Sequence, residues 1–245
     1  MAASGFGLPD IGLVTQTEMA DRVRMIAGVL GDIPLIADAD TGYGTPLNVV
    51  RTVKLYEAAG VAAIQLEDQA FPKRCGHLPD KHVVDAEVFE QTLAAALDAR
   101  SDDDLLIVAR TDARAPLGLD AAIERANRYA AAGADVIFVE APQGTDEIER
   151  IAREVDAPLV INLVLGGMTP IESAARLQEL GYAIAIHPGD PLGRATFAML
   201  EGLCALNGTD VADFLPTTPA DFFNLVGMAE WFALDTKLAA TEDKS

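Results

Sequence analysis

Short apolar runs recur along the chain, each closing on polar residues and followed by a stretch with helical spacing. The runs at 33–37, 62–66, 105–109, 135–139, 159–161 and 183–186 are six predicted strands, and the segments between them are amphipathic helices. Three of those helices, over 52–59, 120–132 and 169–180, stop at Gly60, Gly133 and Gly181, which suit the left-handed position that closes a helix. A further helix is predicted over 18–30, and 192–206 and 220–240 also read as helices. Strands alternating with helices imply a parallel sheet covered by helices, and near-continuous apolar strands fit burial on both faces. No Gly-x-Gly-x-x-Gly follows the first strand, so a dinucleotide-binding sheet has little support. Polar residues instead gather at the C-terminal end of strand after strand, which in an α/β barrel is the catalytic face. Eight strands close such a barrel; six are found, so the expected fold is a (β/α)8 TIM-type barrel lacking its first two strands.

The 245 residues are half hydrophobic, ample for one large core, and no linker or repeat marks a second domain. The expected organisation is one domain over 1–245, with strands and helices of the barrel in 1–191 and C-terminal helices in 192–245. Charge narrows the partners. Eighteen Lys and Arg face 38 Asp and Glu, a formal charge of −20. That field repels phosphate backbones and anionic lipid, so neither nucleic acid nor membrane is an expected partner. It also means that any site for an anion must concentrate Arg, Lys, backbone N–H groups or a metal locally. Two cysteines are too few for a disulfide framework, and MAASGFGLPD lacks the basic and apolar stretches of a secretory leader. A cytoplasmic location is expected.

The first strand runs into Asp38-Ala39-Asp40, and residues two apart on a strand share a face. The two carboxylates are either solvated loop aspartates or helix caps, or they form a site for Mg²⁺ or Mn²⁺. Glu67 at the end of the second strand adds a third carboxylate to the same rim. Arg110 and Asp112 share a face at the end of the third; Arg110 either clamps a substrate carboxylate or pairs with Glu67 or Glu140. Glu140 and Asn162 end the next two strands. Between the second strand and its helix lies Lys73-Arg74-Cys75-Gly76-His77, whose thiol is expected to be exposed, with its thiolate favoured by Arg74 and His77. The loop is either a mobile acid/base element or an ordinary basic loop with an incidental cysteine. Cys204 sits in an apolar stretch and is expected in the core; His82 and His187 read as structural.

GLPDIGL at 7–13, ADADTGYG, LEDQ, PKRCGH, ARTDA and FVEAP occur in an order and approximate spacing that resemble the isocitrate lyase/phosphoenolpyruvate mutase superfamily. The likeness runs from residue 1 to about 200 and points to the short members: 2-methylisocitrate lyases, dimethylmalate lyases and carboxyphosphonoenolpyruvate mutases. The resemblance implies a homotetramer, a dimer of dimers with a C-terminal helix exchanged between neighbours. It implies that Asp38 binds Mg²⁺ directly, with Asp40 and Glu67 acting largely through water and Asp10 nearby. It implies Cys75 as general acid/base, Arg110 as the carboxylate clamp, and Glu140, Asn162 and Arg194 in the substrate site beside Arg74, Gly76 and His77 of the loop. The implied reaction is Mg²⁺-assisted cleavage of a 2-hydroxy di- or tricarboxylate into a 2-oxo acid and a second acid. Alternatives within the fold are a phosphonomutase or an oxaloacetate hydrolase or decarboxylase; outside catalysis, an idle barrel that serves only in oligomerisation.

Two departures from the family pattern stand out. Members begin a few dozen residues earlier, with two strands and a Ser-Gly-type turn that holds the substrate carboxylate. The functional polypeptide is therefore expected to begin upstream, with Met1 a truncation or a misplaced start. Leu165 stands where the lyases commonly place a glutamate.

Overall fold

The computed structural model describes residues 1–78, 80–214 and 218–242. Six strands form one parallel sheet: β1 (Ile36–Asp38), β2 (Ala63–Glu67), β3 (Leu106–Thr111), β4 (Val136–Val139), β5 (Leu159–Asn162) and β6 (Tyr182–Ile186). Their spatial order is their chain order, and every neighbouring pair is parallel. The sheet curls as a partial barrel, with β1 and β6 as its edges among the described residues.

Helices cover the convex side: α1 (Gln16–Leu30), α2 (Pro46–Glu57), α3 (Ala86–Ala99), the single turn α4 (Arg114–Leu117), α5 (Leu119–Ala131), α6 (Thr145–Glu154) and α7 (Ala174–Leu180). Thr15 opens α1 with a capping box to Glu18. Pro46 occupies the first turn of α2, where its missing N–H costs nothing, so the helix begins six residues before the predicted 52. The predicted 169–180 helix shortens to α7, capped by Ser173, whose hydroxyl accepts from the Arg176 N–H. Gly60, Gly133 and Gly181 all carry positive φ, as their positions after helices predict. α8 (Asp190–Asn207) matches the predicted 192–206 helix. The stretch predicted as one helix over 220–240 is two, α9 (Pro219–Asn224) and α10 (Met228–Glu242), because the chain turns at Gly227, at φ 81°. No helix among the described residues is long and apolar enough to cross a membrane.

The period-two alternation of the strands sorts side chains into two layers. Ile64, Leu66, Ile107, Ala109, Ile137, Val139 and Ile161 pack outward against Val49, Val53, Phe89, Leu93, Ala126 and Ile148 of the helices. Ala63, Val108, Val136, Phe138 and Val160 form a smaller inner cluster on the concave side, with Ile184 and Ile186 against it. The register aligns Asp38 with Gln65, and Glu67 with Arg110. The inner face is thus apolar at its floor and polar at the C-terminal rim.

Candidate active site

Following the inner face upward, the alternation that buries Ala63, Val108, Phe138 and Val160 and leaves Ile36 of the edge strand exposed brings Asp38, Glu67, Arg110, Glu140 and Asn162 to one rim. The rim opens on a cavity of about 990 Å³ whose walls include Asp10, Asp38, Cys75, Arg110, Glu140 and Asn162. Gly76, His77 and, at the mouth, Arg194 line the same cavity.

The acidic end is built on the β1 turn. Asp40 adopts φ 47°, a left-handed conformation that aspartate tolerates, and its N–H donates to Asp38 Oδ1 at 3.1 Å. Lys73 enters this cluster from the loop, its Nζ 2.6 Å from Asp10 Oδ1 and 2.8 Å from Asp40 Oδ1. Burial raises Asp40 to a pKa of about 6, with Asp38 and Asp10 adding to the rise and Lys73 opposing it. Burial likewise holds Glu67 well above the ordinary carboxylate range against the pull of Arg110 and Lys73. Burial pushes Asp10 up too, yet the Lys73 ammonium brings it below its usual value. One further observation concerns a cation: Glu67 Oε1 is buried without a hydrogen-bond partner. Crowded carboxylates and an orphaned oxygen fit a hydrated divalent ion. Among the described residues no three His, Cys, Asp or Glu side chains stand close enough together to hold an ion directly.

The basic end corrects a simple picture of Arg110. Its guanidinium is already gripped by Asp112, Nε to Oδ2 at 2.8 Å and Nη2 to Oδ1 at 3.0 Å. Glu67 Oε2 lies 3.4 Å from Nε and Glu140 Oε1 3.8 Å from Nη2. Both pairings weighed from sequence therefore coexist with a third, to Asp112. Nη1 donates to no protein acceptor among the described residues, which leaves one edge of the fork for a ligand. The guanidinium also stacks over the Phe138 ring, 5.2 Å from its centroid.

The loop after β2 is docked on the rim, and this overturns the expectation for Cys75. Its thiol is half-buried, not exposed. Burial, with Asp10 and Glu140 adding, pushes the thiol up to a pKa of about 12, so the group is a protonated thiol rather than the expected thiolate. The Arg74 guanidinium is engaged elsewhere: it stacks on Phe232 of α10 at 5.2 Å and stands 3.9 Å from Asp80. Arg74 is thus turned away from the cavity it was expected to line. His77 is buried, and burial lowers its pKa, so it is neutral. Its Nδ1 accepts from the Met168 N–H at 3.1 Å, which places the proton on Nε2, 3.3 Å from Glu140 Oε1. Asn162 Nδ2 donates to both oxygens of Glu140, at 3.3 and 3.4 Å. Arg194, by contrast, is 76% exposed and paired with Asp190 on its own helix. Cys204 is buried as expected; His82 and His187 are exposed, and neither lines the cavity, although His187 directly follows β6.

Sequence reasoning did not single out Lys73, Lys81 or Asp68. Lys73 and Lys81 flank the Cys75–His77 turn at fixed spacing, but only their burial, 6% and 1% exposed, distinguishes them from surface lysines.

A curled parallel α/β barrel with a carboxylate-rich rim and a cysteine loop docked over it describes a class of barrel enzymes acting on small acids. The chain belongs to the phosphoenolpyruvate phosphomutase family, whose family model matches residues 1–205. It is 45% identical over 230 residues to the 2,3-dimethylmalate lyase of Eubacterium barkeri, covering 93% of this chain and 79% of that protein. It superposes on a crystal structure of 2,3-dimethylmalate lyase with a TM-score of 0.82 at 37% identity, over 97% of this chain and 80% of the other. A phosphonopyruvate hydrolase complex with oxalate and Mg²⁺ is similar at a TM-score of 0.71 and 31% identity, over 96% of this chain and 82% of that one. These solved neighbours are (β/α)8 barrels, and the present chain carries six parallel strands of that fold.

Proposed function

We propose that this protein is a Mg²⁺-dependent carbon–carbon lyase that cleaves a 2-hydroxy di- or tricarboxylate, methylisocitrate-like or alkylmalate-like, into a 2-oxo acid and a second carboxylic acid. The observation that carries the reading is that Asp10 and Asp38 of the acidic cluster line one cavity together with a protonated thiol on a docked loop. The similarity to a named lyase at 45% identity supports it.

Asp38 would hold the ion, with Asp40 and Glu67 acting through water around the Glu67 Oε1 that lacks a protein partner. A bound divalent ion supplies Lewis-acid polarisation of the substrate's 2-oxygen. Arg110, fixed by Asp112, presents Nη1 to a substrate carboxylate and offsets its charge. The His77–Glu140–Asn162 cluster lines the cavity beside it and fixes one substrate orientation. As the bond between the hydroxyl-bearing carbon and its neighbour breaks, the electron pair stays on the departing carbon. Cys75 Sγ–H delivers the proton there, a role for which a thiol that is protonated at neutral pH is suited. The hydroxyl proton passes to the acidic cluster, in which the carboxylates of Asp10, Asp38 and Asp40 are gathered around Lys73. The docked loop excludes water from the carbanion. The expected homotetramer with exchanged C-terminal helices would cover the exposed Met199, Leu203 and Leu206 of α8 and Leu234 of α10, and light scattering on the purified protein measures the mass of the assembly.

The test is a coupled assay of 2-oxo-acid release across a panel of 2-hydroxy di- and tricarboxylates, with Mg²⁺ and with EDTA. Release from an alkylmalate or methylisocitrate that needs Mg²⁺ is the expected result. Phosphonopyruvate and oxaloacetate belong in the panel, followed by their disappearance because both are themselves 2-oxo acids; turnover of either alone would replace the lyase reading by the mutase or hydrolase one. Leu165, 59% exposed on the cavity wall in place of a glutamate, makes the alkyl-substituted acids the first to try.

A further inference from the structure

The loop between β2 and α3 is closed at its base by a bridge between Gln69 and Val83. Inside it, the Gln69 side chain brackets the backbone of Arg74, accepting from its N–H at 2.9 Å and donating to its carbonyl at 2.8 Å. Lys73 fastens the loop to the acidic cluster. A third attachment belongs to no step described above. Lys81, 1% exposed, donates from Nζ to the Gly76 carbonyl at 2.6 Å and to Asp112 Oδ1 at 2.8 Å.

Asp112 is the carboxylate that grips Arg110 with both oxygens, and its own side chain is 0% exposed. One buried carboxylate therefore stands between two cations. One cation holds the turn that carries the thiol; the other faces the cavity. The main chain of Asp112 is anchored as well, its N–H donating to Asp68 Oδ1 at 2.8 Å. Asp68 Oδ2 in turn accepts the hydroxyls of Thr111 and Tyr129, each at 2.8 Å. Packing does not account for a lysine here. A buried ammonium is costly, and a methionine would fill similar volume without that cost. Its two acceptors do account for it.

We propose that Lys81 is a positioning residue that ties the Cys75–Gly76–His77 turn to the carboxylate orienting Arg110, so that proton donor and carboxylate clamp are seated together when the loop docks. Lys81 is not a wall residue of the cavity, so it acts through Gly76 and Asp112 rather than on the substrate. Sharing Asp112 with a second cation also leaves more of the Arg110 charge available to an incoming anion. The catalytic part of this proposal rests on the lyase reading; the structural part does not.

The experiment uses the full chain in a Cys204→Ala background, so that Cys75 is the sole thiol, and measures its alkylation by iodoacetamide. Lys81→Met is expected to speed alkylation by about 10-fold or more as the turn comes loose, the fold-change that accompanies loss of a charge-assisted hydrogen bond. Lys81→Arg, which keeps the charge, is expected to lie between Lys81→Met and the wild type. On the substrate found by the release assay, Lys81→Met should lower kcat and raise KM together, and Lys81→Arg should restore part of both. A folded Lys81→Met protein that alkylates at the wild-type rate overturns the proposal. Should Lys81→Met not fold, the Lys81→Arg protein decides: alkylation at the wild-type rate overturns the proposal, and faster alkylation supports it. A wild-type protein inactive on the whole panel would defeat the lyase reading while the alkylation comparison still decides the role of Lys81.

Discussion

Gly76→Ala isolates the docking of the loop more sharply than any other single change. Gly76 does not have positive φ, so an alanine brings no backbone strain; the effect is one of space alone. A Cβ built there would stand 2.0 Å from Glu140 Oε1 and 2.5 Å from Arg110 Nη2. Ordinary contact begins near 3.4 Å, so something must move by about 1.4 Å. Glu140 is 1% exposed and held by Asn162 and His77, and Arg110 is held by Asp112, so neither partner can yield. The loop is what shifts, carrying the Cys75 sulfur with it. A misplacement of roughly 1 Å costs on the order of 100-fold in turnover. Overpacking a rigid site costs roughly 1–3 kcal/mol, and a loop that simply lifts away costs less. Turnover should therefore fall about 100-fold, with a melting temperature within a few degrees of wild type and Cys75 alkylated faster. The assay is 2-oxo-acid release at saturating substrate beside thermal unfolding of the same preparation. Full turnover in Gly76→Ala would refute the reasoning, because the docked loop could then not be the catalytic arrangement.

Two other outcomes follow from the same geometry. Cys75→Ser should lower turnover by about two orders of magnitude, as for a lost proton-transfer group, while leaving Mg²⁺ binding measured by calorimetry nearly unchanged; an active serine variant would remove the thiol from the mechanism. Mg²⁺ binding should depend on pH through Asp40. Its folded pKa is raised to about 6, so its contribution to stability is present in acid and is lost as pH rises through 6. The ionised form left above pH 6 is the form that takes a cation, and the Mg²⁺-induced rise in melting temperature should be larger at pH 7.5 than at pH 5. Apparent affinity should weaken about tenfold per pH unit below 6; equal shifts at both pH values would count against Asp40 in the ion's shell.

What the sequence determined by itself was the alternation. Runs ending in Asp38, Glu67, Arg110, Glu140 and Asn162 specify parallel strands whose period of two sends all five side chains to one rim; in the structure Asp38, Arg110, Glu140 and Asn162 line the cavity there and Glu67 lies beside Arg110. Helix ends at Gly60, Gly133 and Gly181 were legible for the same local reason, since left-handed φ is a property of one residue and its neighbours. Strand 33–37 was misplaced, with β1 at Ile36–Asp38, because an apolar run does not say where pairing to Ala63 begins. The state of the thiol lay beyond sequence altogether. Arg74 and His77 adjoin Cys75 in the chain and suggested a thiolate, whereas in space the cysteine meets Asp10 and Glu140, and burial decides its protonation. Lys73 finds Asp10 across 63 residues, and Lys81 finds Asp112 across 31. Desolvation and long-range pairing exist only once the loop is docked on the rim, and a linear pattern holds no record of which distant groups share one buried volume.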